Sequence, residues 1–293
     1  MGQEAWSGVR GKRVLITGGT SGIGLAAAEA LAARGAQLTI VARSDSRAQA
    51  AVARIAAAGG PGTNVDVLTA DLSSLAAVRR LADETLERYP RIDVLANNAG
   101  AFFTTRQASP DGLELTWAVN HLAPFLLTTL LLDRLRDSAP ARIITTSSAA
   151  HRGARIPWGD ARGTGGYRGF GRYGQSKLAN ILFTVELARR LEGTGVTANC
   201  FHPGLVATRF SQNNGGVTAA LFGLMKPFAR RPDQGAEPLV WLADAPDAGR
   251  YTGQYFVGHE PARLSGEAAD PAAAGRLWTE TEAVIQEALG AKA

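Results

Sequence analysis

Short runs of β-branched and aliphatic residues alternate along the chain with longer segments whose apolar residues recur at helical spacing. Arg13–Thr17, Gln37–Ala42, Val65–Thr69, Val94–Asn97, Arg142–Ser147, Val196–Phe201 and Gln254–Val257 read as strands. Between them an alanine-rich helix ends near Gly35, and a second, Ser44–Ala58, stops at the breaker Gly59-Gly60-Pro61. Further helices are expected over about Ser74–Tyr89, Asp111–Leu135, Tyr173–Leu191, Pro232–Leu242 and Ala273–Leu289. In the Ser74–Tyr89 helix, Val78, Leu81, Leu86 and Tyr89 form one apolar stripe that would face a sheet. The alternation predicts a doubly wound α/β fold, a parallel sheet of about seven strands with helices on both faces. It never resets, and no linker or repeat interrupts it, so residues 1–293 read as a single domain. Two irregular stretches, 149–172 and 204–231, follow strand carboxyl ends, where ligands bind in open α/β sheets. They are the expected substrate walls.

Composition narrows the partners. With 45% hydrophobic and 19% charged residues among 293, the chain is an ordinary globular one. The net charge of +5 is carried mostly by scattered arginines, and pairs such as Arg79-Arg80 and Arg189-Arg190 fall on helix ends or faces. No clustered basic face is visible, so a nucleic-acid partner is not expected. The longest apolar segment, Leu122–Leu132, is interrupted by Pro124 and is too short to cross a bilayer, and the first residues hold no signal-length apolar run. A cytoplasmic protein without a membrane partner is expected. Cys200 is the only cysteine and suits a reducing compartment, and His121, His151, His202 and His259 are too dispersed for a metal site.

The segment Thr17-Gly18-Gly19-Thr20-Ser21-Gly22-Ile23-Gly24 follows the first strand and opens a helix, the context a dinucleotide cradle of Rossmann type requires. Glycines allow a tight turn and close backbone approach, and the helix amino terminus presents free N–H groups to a pyrophosphate. Arg43 follows the second strand, where an acidic residue would bind ribose hydroxyls and an arginine would instead pair with a 2′-phosphate. Arg43 therefore points to NADP(H). Tyr173 and Lys177, at i and i+4 in YGQSK, share a helix face, where an ammonium would favour the phenolate.

Taken together, TGGTSGIG, Asn97-Asn98-Ala99-Gly100, Ser148, YGQSK and His202-Pro203-Gly204 resemble the short-chain dehydrogenase/reductase family over nearly the whole chain. The stretches VNHLAPFLLT, SKLANILF and HPGLVATRF are most similar to its retinol-dehydrogenase-like branch. The resemblance implies a catalytic set of Asn120, Ser148, Tyr173 and Lys177. Tyr173 would exchange the proton, Lys177 would hold the nicotinamide ribose, and Ser148 would hydrogen-bond the substrate oxygen; only the resemblance selects Ser148 over Ser147. For the cofactor it implies Gly18, Thr20, Ser21, Gly22, Ile23, Gly24, Arg43, Asp71, Leu72, Asn98, Ala99, Gly100, Tyr173, Lys177, Pro203, Gly204, Val206 and Thr208, with no metal. His202 is expected to shape the turn before Pro203.

The expected function is a reversible NADP(H)-dependent carbonyl reductase or alcohol dehydrogenase acting on a small apolar ketone, aldehyde or alcohol. The apolar cluster Phe210, Leu221, Phe222, Leu224, Met225 and Phe228 suits such a substrate. A non-catalytic NADP-binding regulator is the alternative, and an intact catalytic set argues against it. The loop 149–172, with Trp158, Tyr167 and Phe170, is either a lid or a surface insertion. The resemblance also implies a homodimer or homotetramer through the helices bearing Asn120 and Tyr173, or else a monomer.

Overall fold

A computed structural model describes residues 6–206, 229–264 and 266–290. One eight-stranded sheet organises them, in the order β3-β2-β1-β4-β5-β6-β7-β8. The strands are β1 (Arg13–Thr17), β2 (Gln37–Ala42), β3 (Val65–Thr69), β4 (Val94–Asn97), β5 (Ala141–Thr146), β6 (Val196–His202), β7 (Tyr255–Val257) and β8 (Glu260–Pro261). All neighbours pair in parallel except β7 and β8, a two-residue antiparallel edge that the hydrophobic pattern is too short to reveal. The strand order reverses between β1 and β4, which opens a crevice at their carboxyl ends.

Helices α1 (Gly22–Ala32), α2 (Asp45–Gly59) and α8 (Pro232–Asp244) cover one face, where Leu31, Ile40, Ile55, Phe201 and Leu239 are buried. The other face carries α3 (Leu75–Arg88), α4 (Leu115–Trp117), α5 (Ala123–Leu130), α6 (Leu132–Asp137), α7 (Gly169–Arg190) and α9 (Pro271–Gly290). Leu81, Leu122, Phe183 and Trp278 fill that core. Val78, Leu81 and Tyr89 of the predicted α3 stripe are buried there and Leu86 packs against it.

The single helix expected over 111–135 is broken. Residues Ala118–Leu122 form a π-turn in which the Ala123 N–H donates to the carbonyl of Ala118 rather than of Val119. The cause is Pro124: it has no N–H to donate to the Asn120 carbonyl four residues back, and the helix widens to absorb the loss. Asn120 thus sits on a deformed turn. Likewise α7 begins at Gly169, four residues before Tyr173.

The carboxyl-terminal helix α9 packs along α7. Its Trp278 ring stacks on Phe183 at 5.9 Å and lies 4.7 Å from Phe125, while its Thr281 hydroxyl is 2.9 Å from His121 Nε2. Part of the helix surface that the resemblance assigns to dimer contact is therefore covered by the chain itself. Among the described residues no helix is long and apolar enough to cross a membrane.

Arg142 on β5 ties the sheet to α8. Its buried Nη1 donates to the carbonyls of Leu242 at 2.8 Å and Ala243 at 3.3 Å in the last turn and of Ala245 just past it at 2.8 Å, and its guanidinium covers the Trp6 ring at 4.2 Å. Arg142→Leu leaves buried carbonyls without donors, so it is expected to cost about 2–3 kcal/mol, read as a lower urea midpoint at unchanged m-value.

Candidate active site

The crevice is built from the ends of β1, β4, β5 and β6. After β1 the backbone turns through Gly18 at φ 69° and enters α1 at Gly22. A Cβ on Gly24 would lie 2.3 Å from the Gly18 carbonyl oxygen and 2.4 Å from Asn98 Nδ2, so only glycine fits this crossing. Asn98 fixes the turn by donating through Nδ2 to the Thr17 carbonyl at 3.0 Å. The Thr17 hydroxyl in turn accepts the N–H groups of Asn98 at 3.0 Å and Ala99 at 3.1 Å. Ser21 precedes α1 in extended conformation without a side-chain cap, which leaves the first-turn N–H groups to a ligand.

Arg43 is exposed beyond β2 and takes no hydrogen-bond or ion-pair partner among the described residues. A lone cation at the start of a helix is electrostatically unfavourable without an anion. Asp71 is exposed after β3, with Oδ1 accepting the Ser73 N–H at 3.0 Å and hydroxyl at 2.8 Å. Its neighbour Leu72 joins Thr17, Asn97 and Ala99 around a small cavity. The turn and the crevice fit a nicotinamide dinucleotide, and Arg43 leaves an exposed cation beyond β2.

Tyr173 and Lys177 face the end of β5 from α7. Lys177, 2% exposed, donates through Nζ to the carbonyl of Thr146 at 2.9 Å and lies 5.6 Å from the centre of the Tyr173 ring. Asn180, one turn on, donates to the same carbonyl at 3.1 Å. Asn120 on the π-turn pairs with the Ala101 backbone, accepting its N–H at 2.7 Å and donating to its carbonyl at 2.9 Å. Its Nδ2 also donates to the Ser176 hydroxyl at 3.0 Å. A Cβ on Gly100 would be 3.5 Å from both Asn120 Oδ1 and Lys177 Nζ, which locates the point where β4 and α7 converge.

The two serines after β5 have different tasks. Ser147 is buried and donates to the Lys177 carbonyl at 2.8 Å, which fixes it to helix backbone. Ser148 accepts the Ala150 N–H and hydrogen-bonds the Tyr173 phenol. Burial pushes the Tyr173 hydroxyl up to about 12, partly offset by Ser148, and pushes Lys177 down to about 8. The depression of the phenol that the Tyr-x-x-x-Lys spacing suggests is thus outweighed by desolvation, with the ammonium turned toward Thr146.

His202 ends β6. Its Nδ1 accepts the N–H of Ala149 at 3.2 Å and of Gly204 at 3.3 Å, and burial with nearby Arg152 and Arg230 lowers its pKa to about 4. The neutral ring shapes the turn at Pro203, as the sequence suggests. Gly204 takes φ 86°, and Val206 bridges to Arg230. A Cβ on Gly235 would meet Val206 Cγ2 at 2.6 Å and Ile23 Cγ1 at 3.3 Å, so this loop lies against the first turn of α1. Thr208 and the cluster of Phe210, Leu221, Phe222, Leu224, Met225 and Phe228 lie outside the described residues. Among the described residues no group of three or more His, Cys, Asp or Glu could hold a metal ion.

The loop 149–172 is anchored at several points. The Ile156 N–H donates to Glu267 at 3.0 Å, the Gly159 N–H to Glu280 at 3.2 Å, and Arg162 to Glu287 at 2.8 Å, while the Tyr167 hydroxyl donates to the Phe103 carbonyl at 2.9 Å. The supporting roles of Thr17, Thr146, Ser147, Ser176 and Asn180 were not read from the sequence. Thr17 and Ser176 stand inside recognised motifs, but their short hydroxyl side chains carry no signal of which backbone group they reach.

The short chain dehydrogenase family profile matches residues 12–216. Retinol dehydrogenase 14 of Mus musculus is 40% identical over 94% of this chain and 86% of its own length. A protein of Streptomyces sp. (strain C5) named as a candidate daunorubicin C-13 ketoreductase is 42% identical over 95% of this chain and 94% of its own. A short chain dehydrogenase from Burkholderia cenocepacia J2315, solved in complex with NADP, superposes with a TM-score of 0.68 at 30% identity, covering 85% of this chain and 96% of that one.

Gly24→Ala drives a methyl group into the Gly18 carbonyl and the Asn98 amide. Nicotinamide-nucleotide affinity, followed by quenching of tryptophan fluorescence, is expected to fall by about tenfold or more, equivalent to about 1.4 kcal/mol of lost binding. Unchanged affinity would contradict this turn as the cofactor cradle.

Proposed function

The chain belongs to the short-chain dehydrogenase family, and on that premise we propose that it is an NADP(H)-dependent carbonyl reductase working reversibly on an apolar ketone or aldehyde and its alcohol. As a member it is an oxidoreductase of CH–OH groups that uses a nicotinamide cofactor. The observation that carries the finer reading is the meeting of the Tyr173 phenol, the Ser148 hydroxyl and the Lys177 ammonium at the end of β5.

The nicotinamide cofactor supplies the hydride in reduction and accepts it in oxidation. Tyr173 holds the proton that the carbonyl oxygen takes up as it becomes an alcohol. Ser148, already bonded to the phenol, orients the same oxygen and stabilises charge that develops on it. Lys177 keeps its proton at neutral pH, because its pKa of about 8 lies above that range, and so favours the phenolate left on Tyr173. Asn120 holds the chain after β4 against α7 through Ala101 and Ser176. Arg43, exposed and unpaired, supports a 2′-phosphate and hence NADP(H) over NAD(H). The apolar substrate is supported by the named activities of the two relatives and by the aromatic residues between 207 and 228.

A panel of decanal, benzaldehyde and acetophenone with NADPH or NADH, followed at the cofactor absorbance band, tests this reading. Tyr173→Phe is expected to lower kcat by at least about a hundredfold with NADPH binding kept, as loss of a general acid does. NADPH binding with no turnover on any substrate would instead favour the regulator. Arg43→Ala is expected to erode the preference for NADPH, and an unchanged preference would show that another residue reads the phosphate.

The pH dependence follows from the two shifts. With the phenol raised to about 12, reduction starts from protonated Tyr173 across neutral pH and gains nothing as pH rises. Alcohol oxidation needs the phenolate, so its rate is expected to climb with pH and to flatten as Lys177 loses its proton through about 8. Parallel profiles in the two directions would contradict Tyr173 as the proton carrier.

A further inference from the structure

The segment that introduces Tyr173 is a poor helix start. It reads Gly169-Phe-Gly-Arg-Tyr-Gly174, with three glycines among its first six positions, and its N-cap residue Arg168 provides no side-chain cap. Each glycine costs about 1 kcal/mol relative to alanine in a helix. Two of them are forced by close approach: a Cβ on Gly169 would lie 2.4 Å from the Phe103 carbonyl oxygen, and one on Gly174 2.6 Å from that of Ala150. The site needs the start of α7 pressed against the loops after β4 and β5, and that proximity removes the side chains that would stabilise the turn.

Next to Tyr173 lies a buried ion pair that the proposed chemistry does not use. Arg172, 4% exposed, donates through Nε to Glu114 Oε2 at 3.0 Å, and Glu114 is fully buried. The Glu114 carboxylate also accepts the N–H groups of Thr116 at 2.9 Å and Trp117 at 2.8 Å, capping the helical turn that leads to Asn120. Through Nη2 Arg172 donates to the Asp160 carbonyl at 2.8 Å, and its guanidinium covers the Trp117 ring at 4.8 Å. One guanidinium thus joins the helix carrying Asn120, the loop 149–172 and the turn carrying Tyr173.

A buried ion pair is a weak source of stability, since apolar residues of similar volume often do as well or better. Its distinguishing property is directional: the planar guanidinium fixes three partners in one geometry, which neither a lysine nor an apolar side chain reproduces. We propose that Arg172 and Glu114 are positioning residues, whose ion pair holds the glycine-rich first turn of α7 folded and so keeps Tyr173 in register with Ser148, Lys177 and Asn120. The catalytic part of this inference rests on Tyr173 being the proton donor; the tether itself does not.

The test separates local from global effects. Arg172→Met is expected to speed hydrogen–deuterium exchange of the 169–174 amides, to lower kcat for NADPH-dependent benzaldehyde reduction about tenfold or more, and to leave NADPH affinity unchanged. The double variant Glu114→Gln/Arg172→Met removes the unpaired buried charge and keeps one amide oxygen as acceptor for either the Thr116 or the Trp117 N–H, which separate carboxylate oxygens accept in the parent. Its thermal midpoint is expected to recover toward that of the parent while exchange at 169–174 stays fast and kcat stays low. Arg172→Lys restores a charge but not the three-way geometry and is expected to recover kcat only in part. Exchange at 169–174 that stays slow in Arg172→Met, or a double variant that regains both midpoint and kcat, would overturn the proposal and leave the pair a packing feature. Tyr173→Phe, run beside them, reports on the proton donor alone: its retained turnover would remove the proposed function while the exchange result still judged the tether.

Discussion

Lys177 is an ammonium carried into the protein interior, and most of the site is arranged around that fact. Among the described residues no carboxylate faces it; it donates to the Thr146 carbonyl at the end of β5. A cation so placed loses hydration that one neutral acceptor cannot replace, and its pKa falls to about 8. The remaining protein must hold β5 and α7 in a fixed relation, or water enters and the charge relaxes outward. Ser147 does so by bonding the Lys177 carbonyl, and Asn180 by sharing the Thr146 carbonyl.

The same requirement for proximity recurs at each strand end. At β1 the backbone crosses so close to Asn98 that Gly24 has no room for a side chain, and at the start of α7 Gly169 and Gly174 are pressed against the carbonyl groups of other segments. Glycine permits such contacts but weakens the elements that contain it. Polar side chains compensate: Thr17 and Asn98 fix the first turn, and the Glu114–Arg172 pair reaches the second. Strain and repair lie side by side, as expected where geometry is set by function more than by stability.

Electrostatics at the rim follows a different logic. Arg43 is exposed and without a partner among the described residues, whereas Arg142 and Arg172 are buried and donate to carbonyl or carboxylate oxygens, although Arg142 Nη2 finds no acceptor. The chain therefore uses one residue type in two ways: buried arginines bind backbone acceptors at fixed places, and an exposed one leaves its charge available to an incoming anion. His202 is a third case, since its neutral ring serves as an acceptor and the arginines around it help keep it neutral.

The sequence by itself determined the strand–helix alternation, the glycine-rich turn, the position of Arg43 and the grouping of Tyr173 with Lys177, because each is a local pattern with a local physical cause. Helical spacing puts residues four apart on one face whatever surrounds them, and a glycine turn after a strand needs no distant partner to be recognised. Tertiary structure decided what depended on residues far apart in the chain. It divided the work of Ser147 and Ser148, since only the arrival of α7 distinguishes a hydroxyl facing a helix carbonyl from one facing a phenol. It reversed the direction in which Tyr173 shifts, because burial is a property of the assembled site and outweighs a charge that spacing alone suggests. It broke the helix at Asn120, where Pro124 was visible in the sequence but the resulting π-turn was not. Glu114 and Arg172 lie 58 residues apart, and only folding makes them a pair.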